Sequence, residues 1–328
     1  MNQSDISIII CTRDRPEALK ECLRSVVKSN LRPLEVLIVD QSDNGHAKKW
    51  ISQLAQKIPL NLRYLHLDSV GHTKARNAGI EASKGNIIAF TDDDCAVDAG
   101  WLNAIAAEFN DISVSCVCGH TFPANHRGRP KEAFLSTLNH QRRRLVRGKG
   151  NPILIGRGNN MAFRKADLLK LGGFNERIGV GTRLYAGDDF DLLYRLLESG
   201  GIIAHTPNAV ILHAQPDDWQ SILLKKRGYS ISTAAVLVAK MKYGDLYAGL
   251  LLSGKIFYEL GCLMCGGALL MKWRTAAIGW HSFVGSISGT RYIFNRRFCD
   301  EVHRLSLFAR KSYRLTNPSG TEPCELPH

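Results

Sequence analysis

The sequence lacks the cysteine pattern of a disulfide framework or a structural zinc module. Its nine cysteines are odd in number and irregularly spaced, which is typical of reduced intracellular thiols. Cys262 and Cys265 have the spacing of half a zinc site, but they lie in the apolar run Leu260–Met271 with no second ligand pair nearby. The segment Met1–Ser7 has no basic stretch followed by an apolar one. We therefore expect no secretory signal and a cytoplasmic protein.

Signatures of two other functional classes are also missing. No basic repeat carries interleaved aromatic residues, so we expect no nucleic-acid partner. No Gly-x-Gly-x-x-Gly motif follows a predicted strand, which disfavours a dehydrogenase. Acidic residues are few relative to basic ones, with 30 Asp and Glu against 43 Lys and Arg and a net charge of +13. This excess favours phosphate-bearing substrates and anionic lipid as partners.

The first hundred residues alternate short β-branched runs with amphipathic stretches. Strands are predicted at Ile6–Cys11, Glu35–Val39, Leu62–Leu67 and Asn86–Thr91, with helices between them. Such alternation predicts an α/β fold with a mostly parallel sheet and helices on both faces. Further along, we predict a helix near Lys131–Val146, a helix at Asp188–Ser199, and strands at Ile202–His205 and Ala209–His213. Ligands of such sheets bind beyond the carboxyl ends of the strands.

Two acidic motifs lie where such ligands would bind. Asp92, Asp93 and Asp94 directly follow a predicted strand, and their mutual repulsion must be offset by a cation or by hydrogen-bond donors. Hard divalent ions prefer such oxygen ligands, although a lone string of this kind is more often a solvated acidic loop. Asp188 and Asp189 begin a predicted helix, where acids often serve only as caps. Because they are neighbours, ionising one should raise the pKa of the other towards that of a general base.

These segments, in this order, resemble the family-two GT-A glycosyltransferases. The resemblance covers about residues 5–215 and rests on Ile8–Arg13, Val39–Ser42, Arg76–Gly79, Asp92–Asp94, Asn159–Arg164, Gly187–Asp189 and Val210–His213. It implies a GT-A fold and the inverting transfer of a sugar from a nucleotide-sugar donor, with UDP- or dTDP-sugars favoured, to a carbohydrate or lipid-linked acceptor. It further implies a role in cell-surface polysaccharide or glycolipid synthesis.

The resemblance also implies roles for single residues. They are nucleotide binding at Thr12, Arg13, Asp40 and Arg76; further substrate contacts at Asp92, Asp93 (the ribose), Asn160 and Asp188; a divalent cation, Mn²⁺ or Mg²⁺, at Asp94 and His213; and general-base catalysis at Asp189. A neutral imidazole favours Mn²⁺ over Mg²⁺. The alternative for His213 is a strand-end histidine with a satisfied hydrogen bond.

The sequence departs from the family pattern in two places. Asp40–Asp43 reads Asp-Gln-Ser-Asp instead of the usual Asp-Asp-Gly-Ser, and Leu224–Tyr229 lacks the Gln-x-x-Arg-Trp of processive synthases. The second departure favours a single transfer per encounter. A metal-dependent phosphatase is disfavoured because Cys11–Asp14, after the first strand, has no Asp-x-Asp. A non-catalytic nucleotide-sugar-binding subunit of a membrane glycan-assembly complex stays open.

The sequence changes character after residue 215. We predict a catalytic domain at 1–215, a helical, basic and apolar region at 216–315, and a flexible tail at 316–328. The uncharged runs Gly228–Ala239, Leu260–Met271 and Thr275–Thr290 are each shorter than the roughly 20 residues of a spanning helix. With flanking Lys, Arg and Trp they favour peripheral binding to an anionic membrane surface, on the inner face of the cell membrane. A helical subdomain packed on the catalytic domain is the alternative.

Overall fold

The computed structural model describes residues 5–43, 46–124, 138, 140–214, 216 and 218–316. Within these residues, nine strands form one mixed sheet: β1 (Ile6–Thr12), β2 (Glu35–Asp40), β3 (Leu62–His66), β4 (Ile87–Asp92), β5 (Cys95–Val97), β6 (Val114–Pro123), β7 (Arg144–Val146), β8 (Met161–Arg164) and β9 (Ile202–His213). Their order is β3-β2-β1-β4-β8-β6-β9-β5, and β7 pairs with β9.

The first half of the sheet is parallel, as the sequence predicts. Strands β3, β2, β1 and β4 pair in parallel register. The helices around the sheet are α1 (Pro16–Val27), α2 (His46–Ala55), α3 (His72–Ala82), α4 (Trp101–Glu108), α5 (Lys165–Lys170) and α6 (Asp188–Glu198). Every position of β1 is buried, and Ile8 packs into one apolar cluster while Ile9 packs into the other. Alternate side chains of a strand covered on both faces enter separate cores, which explains the unbroken apolar run.

The second half of the sheet differs from the prediction in two places. The two strands predicted at Ile202–His205 and Ala209–His213 form the single strand β9, which shifts its register against β6 between Thr206 and Val210. The helix predicted near Lys131–Val146 is wrong at its end, because Arg144–Val146 is strand β7, paired antiparallel with β9. Residues 131–137 and 139 lie outside the described residues.

Beyond residue 218 the described chain is mostly helical. The helices are α7 (Trp219–Lys242), α8 (Leu246–Phe257), a π-helical segment (Tyr258–Cys265), α9 (Gly266–Leu269), α10 (Trp273–Thr290) and α11 (Arg296–Thr316). Helix α10 packs closely on α7, since a Cβ at Gly285 would lie 2.3 Å from the backbone oxygen of Arg227 and one at Gly289 the same distance from that of Ile231. Helix α11 returns to the sheet, where Ala309 joins a core cluster. The boundary at residue 215 stays a prediction.

One helical segment in the described part of the chain, Leu246–Leu269, is long and apolar enough to cross a membrane by length and composition. The prediction that each apolar run is too short to span was therefore wrong for Leu260–Met271, since the helix continues back through α8. The sequence run is interrupted by Lys255 and Glu259, which form a mostly buried ion pair in the structure. Glu259 also accepts hydrogen bonds from Ser230 on α7 and Ser286 on α10. Both charges thus face the protein interior.

Candidate active site

A cluster of three acids, Asp92, Asp93 and Asp94, lies at the turn between β4 and β5, on the carboxyl edge of the parallel strands. We call it the triple-acid cluster. Arg15, at the end of the loop after β1, donates from one nitrogen to both Asp93 and Asp94, at 3.0 Å each. Thr12 donates to the other oxygen of Asp93, at 2.8 Å. Positive charge and donors therefore offset the predicted repulsion in this cluster.

The environment of Asp93 favours its protonated form. Burial raises the pKa of Asp93 to about 6, and repulsion by Asp94 adds to this, while the hydrogen bond from Thr12 and the charge of Arg15 act against it. Asp92 behaves in the opposite way. Burial would raise its pKa, but Arg76, His72 and His213 more than offset this and lower it. A single turn of the chain thus carries one carboxylate that stays ionised and one that responds to mildly acidic pH.

Asp94, Cys95 and His213 have ligand atoms that all lie within 4.8 Å of one another. Antiparallel pairing of β5 with β9 produces this arrangement, because Cys95 is the partner of His213 in the ladder. Burial and the nearby acids raise the pKa of the Cys95 thiol well above its usual value, which favours the neutral thiol. A carboxylate and an imidazole remain, and these donors fit Mn²⁺ better than a soft thiolate-binding ion. The residues present therefore fit the divalent cation predicted at Asp94 and His213.

Arg76, on α3, connects the triple-acid cluster to the second acidic motif. Its guanidinium donates to Asp92 and to Asp188, at 3.0 Å each, and to the backbone oxygen of Gly158 at 2.8 Å. Its side chain is only 3% exposed. Burial alone would lower the pKa of Arg76, but Asp92 and Asp188 raise it. A buried, fully charged arginine therefore fixes the separation of the two acidic motifs.

The second motif, which we call the acid pair, is Asp188 and Asp189 at the start of α6. Gly187 precedes it with φ +86°, a left-handed conformation that glycine adopts without strain. Asp189 accepts backbone hydrogen bonds from Gly158 at 2.9 Å and from Phe190 at 2.7 Å, one on each carboxylate oxygen. Burial and then repulsion by Asp189 raise the pKa of Asp188 to about 6, against the charge of Arg76. The backbone thus holds Asp189 in one orientation, while its neighbour contacts Arg76.

The other predicted substrate residues lie at the same edge. Asp40 ends β2 and accepts hydrogen bonds from Ser42 and Tyr64, and Arg13 is half-exposed beside Asp14 and Asp43. Asn160 lies there too, because it directly precedes Met161, the partner of Phe90 near the end of β4.

The amide of Asn160 is used within the fold. It donates to the backbone oxygens of His120 and Ala209 and accepts from the indole of Trp101. Its predicted substrate contact does not agree with these hydrogen bonds, because all three join parts of the core to one another.

Sequence reasoning missed four residues of the site. Arg15 and His72 contact the triple-acid cluster, Cys95 completes the three-atom group with Asp94, and Arg157 interacts electrostatically with Asp189. Arg15 follows a predicted strand end, so its place beside Thr12 was a usable signal. The other three depend on long-range packing that no local pattern reveals.

Comparisons with known proteins agree with this geometry. The family described as "Glycosyl transferase family 2" matches residues 7–172. The succinoglycan biosynthesis protein ExoM of Rhizobium meliloti is 29% identical over 248 residues, covering 73% of this chain and 77% of that protein. A pre-mycofactocin glycosyltransferase of Mycobacterium tuberculosis is 26% identical over 309 residues, covering 93% of this chain and 60% of the relative.

Solved structures with the same fold include a mannosyltransferase and the protein TarS. The mannosyltransferase PcManGT of Pyrobaculum calidifontis, in complex with GDP-Man and Mn²⁺, aligns with a TM-score of 0.62 at 16% identity and covers 90% of this chain and 89% of its own. TarS 1-349 of S. aureus, in complex with UDP, aligns with a TM-score of 0.53 at 16% identity, covering 96% and 90%. At this identity the likeness concerns the fold alone, and it confirms the predicted GT-A fold with additional C-terminal helices.

Proposed function

Because that family match covers about half of its 328 residues, the chain belongs to glycosyl transferase family 2 and is a glycosyltransferase, and we propose that it works as a metal-dependent, inverting enzyme. It moves one sugar from a nucleotide-sugar donor to an acceptor hydroxyl. The observation that carries this proposal is Arg76, which holds a cation-binding acid cluster on one side and the acid pair on the other. The name of the relative ExoM supports a place in polysaccharide synthesis.

Asp189 is the general base in this proposal. One of its oxygens takes the proton of the acceptor hydroxyl, and the acceptor oxygen forms a bond to the anomeric carbon while the bond to the diphosphate breaks. The two backbone hydrogen bonds to Asp189 keep the carboxylate oriented during this step. A single displacement with no protein nucleophile inverts the configuration at the anomeric carbon. A divalent cation at Asp94 and His213 would supply positive charge for the leaving diphosphate.

The donor is bound by residues on the carboxyl edge of the sheet. We assign the base to Thr12, Arg13 and Asp40 and the ribose to Asp93, with UDP- or dTDP-sugars favoured. The solved neighbours are in complex with GDP-Man or UDP-GlcNAc, which supports a nucleotide-sugar donor without selecting the nucleotide. Tyr64 and Ser42 hold the carboxylate of Asp40 at this edge, so it is positioned before a base arrives.

A donor screen tests the proposal. Purified protein is incubated with a panel of UDP-, dTDP- and GDP-sugars, with Mn²⁺, Mg²⁺ or excess chelator, and released nucleoside diphosphate is measured. We expect release with one donor class, and only when a divalent ion is present. Tight donor binding without release in the presence of acceptor extracts would instead identify a non-catalytic nucleotide-sugar-binding subunit. Full activity in chelator would contradict the metal dependence.

We further propose that the C-terminal helices bind peripherally to the cytoplasmic face of a membrane. The support is a set of large apolar side chains that are at least half exposed: Leu246, Leu250, Phe257, Tyr258, Leu269, Leu270, Met271, Trp273, Trp280 and Phe294. Basic residues near an anionic leaflet add about 1 kcal/mol each. The inward-facing pair of Lys255 and Glu259 favours a helix lying on the membrane, because α7 and α10 already cover its polar side.

Liposome flotation tests the membrane proposal. The full-length protein should float with anionic vesicles, and added salt should weaken the binding because the Debye length shortens. A Trp273→Ser/Trp280→Ser variant should float less than a Trp219→Ser control, since Trp219 is packed beside Leu263 and Ile278. If the full-length protein does not float, the helices are a packing or dimerisation region.

A further inference from the structure

A cavity of about 410 Å³ lies between the loop before α6 and the helix α7, outside the residues assigned above. It is lined by Arg183, Tyr185, Leu224, Arg227, Gly228 and Ile231. Glycine at 228 is required by the close approach of the loop, because a Cβ there would lie 1.8 Å from the ring of Tyr185. The ring of Tyr185 also lies 6.0 Å from that of Tyr229. The cavity is therefore bounded by a tight aromatic contact on one side.

The cavity lies next to the proposed general base. On helix α7, Gly228 lies against Tyr185, and Ser232, one turn later, lies against Gly187. A Cβ at Gly187 would be 3.4 Å from the Cβ of Ser232. One helical turn rises about 5.4 Å. Gly187 directly precedes the acid pair, so the cavity is about one turn away from the start of α6.

Two exposed arginines at the cavity have no paired acid among the described residues. Within the part of the chain that the structure describes, the side chains of Arg183 and Arg227 form no hydrogen bond or ion pair. Most arginines around the active site are paired, as Arg15 and Arg76 are. A guanidinium presents a planar fork of donors that matches phosphate oxygens. The two arginines therefore suit an anionic group with several acceptor oxygens.

The rest of the lining is largely apolar. Leu224 is 56% exposed, and with Ile231 and the ring of Tyr185 it forms an apolar wall beside the arginines. An apolar chain attached to the anion could lie along this wall. Arginines beside an apolar wall favour a phosphate attached to an apolar chain over a free sugar phosphate, because a sugar phosphate needs no apolar wall.

We propose that this cavity is part of the acceptor site and that it binds the phosphate of a lipid-linked saccharide, with Arg183 and Arg227 contacting the phosphate and a hydroxyl of the saccharide reaching Asp189. The inference rests on the proposed function, since it supplies the acceptor for the base Asp189. A second basic stretch of the sequence, Arg142–Arg144, lies elsewhere in the fold and serves below as the control. Arg143 is already paired with Glu108, and Arg144 begins β7, which pairs with β9 on the far side of β9 from β6.

Isothermal titration of the full-length protein with geranyl phosphate, inorganic phosphate and geraniol tests the site directly. We expect geranyl phosphate to bind at least about tenfold more tightly than either fragment, because each charge-assisted hydrogen bond contributes about a factor of ten. Equal binding of inorganic phosphate would overturn the lipid part of the proposal. Equal binding of geraniol would overturn the role of the arginines.

Charge-matched double variants locate the site. Arg183→Gln/Arg227→Gln should weaken geranyl phosphate at least about tenfold, and Arg142→Gln/Arg144→Gln should leave it unchanged. Leu224→Ser should weaken geranyl phosphate but not inorganic phosphate. Unchanged binding in the first variant, or loss in the second alone, would overturn the assignment.

The donor screen is run on the same variants to separate the two proposals. If the Arg183→Gln/Arg227→Gln variant still turns over donor but needs more acceptor to do so, both the proposed function and the acceptor site are supported. If the Arg183→Gln/Arg227→Gln variant turns over donor and binds geranyl phosphate as the unmodified protein does, the acceptor site is wrong and the proposed function stands. If the unmodified protein turns over no donor, the proposed function is wrong and the phosphate-binding site stands.

Discussion

The triple-acid cluster and the acid pair are both rows of neighbouring carboxylates, yet the fold compensates them differently. Side chains hold the first: Arg15, Thr12 and Arg76 contact Asp92, Asp93 and Asp94. Backbone N–H groups hold Asp189 of the second, and only Asp188 uses the guanidinium of Arg76. Side chains can move when a cation arrives, whereas backbone donors cannot. The difference is what one expects of a binding cluster beside an oriented base.

The largest expected effect is the loss of metal binding when the triple-acid cluster is changed, since the acid pair holds no proposed metal ligand. Asp94→Ala should abolish both Mn²⁺ binding and the response of activity to metal, because it removes a ligand from the group with His213. Mn²⁺ binding is followed by electron paramagnetic resonance and activity by released nucleoside diphosphate. Asp98→Ala, four residues further on, is the matched control and should bind Mn²⁺ normally. Mn²⁺ binding retained by Asp94→Ala would contradict the assignment.

A change in the acid pair should affect chemistry and not binding. Asp189→Asn should lower kcat by at least about 10²-fold, the typical contribution of a general base. The amide keeps the size of the carboxylate, so donor affinity should stay near that of the unmodified protein, while the melting temperature should fall because one of the two backbone hydrogen bonds to this side chain is lost. Steady-state kinetics and donor titration measure the two quantities. Near-normal turnover in the purified variant would remove Asp189 from the mechanism.

The raised pKa of Asp188, in the acid pair, should make the stability of the folded protein depend on pH. Its pKa is raised from 3.8 to about 6, so the folded state holds a proton that the unfolded chain releases, and its contribution to stability falls as the pH rises from about 4 to about 6. An amide at this position cannot ionise, and Asp188→Asn should therefore gain up to about 3 kcal/mol relative to the unmodified protein across this window. Urea denaturation at several pH values measures the difference. A constant difference from pH 4 to pH 7 would exclude the raised pKa.

The smallest effect concerns Arg15. Its guanidinium is half-exposed and lies 3.0 Å from both Asp93 and Asp94, where it competes with a bound cation. Arg15→Gln should strengthen Mn²⁺ binding in the absence of donor by about two- to fivefold, the size of a partly exposed charge interaction. Arg13→Gln is the control because Arg13 contacts only Asp14 and Asp43 in the described structure. Weaker Mn²⁺ binding by Arg15→Gln would show that Arg15 supports the site.

The parts of the fold that the sequence predicts are those with a local cause. Strands β1, β2 and β4 are continuous apolar runs, and the acids that follow them mark the carboxyl edge without any knowledge of packing. The three-residue strands β5 and β7 have no pattern of their own and form only because β9 offers its edges. The continuity of the helix through Lys255 was hidden for a related reason, since its charge is compensated four residues away.

The same limit applies to the site. The acids and His213 could be placed at one edge from strand ends, but the bridge by Arg76 spans 112 residues in sequence, from α3 to α6. Asn160 illustrates the reverse case. It lies in a motif shared with the family, yet its three hydrogen bonds within the core support a structural role. Motif membership alone does not distinguish a side chain that binds substrate from one that holds the sheet together.

The pairing of Cys95 with His213 has a consequence for how this chain can change over evolution. The two proposed metal ligands, Asp94 and His213, are far apart in sequence, but they lie at adjacent rungs of one antiparallel ladder, so their spacing depends only on the register of β5 and β9. Insertions or deletions in the connections between these strands can reshape the acceptor side without disturbing the cation. A one-residue slip of β9, in contrast, would turn His213 to the opposite face and remove it from the cation.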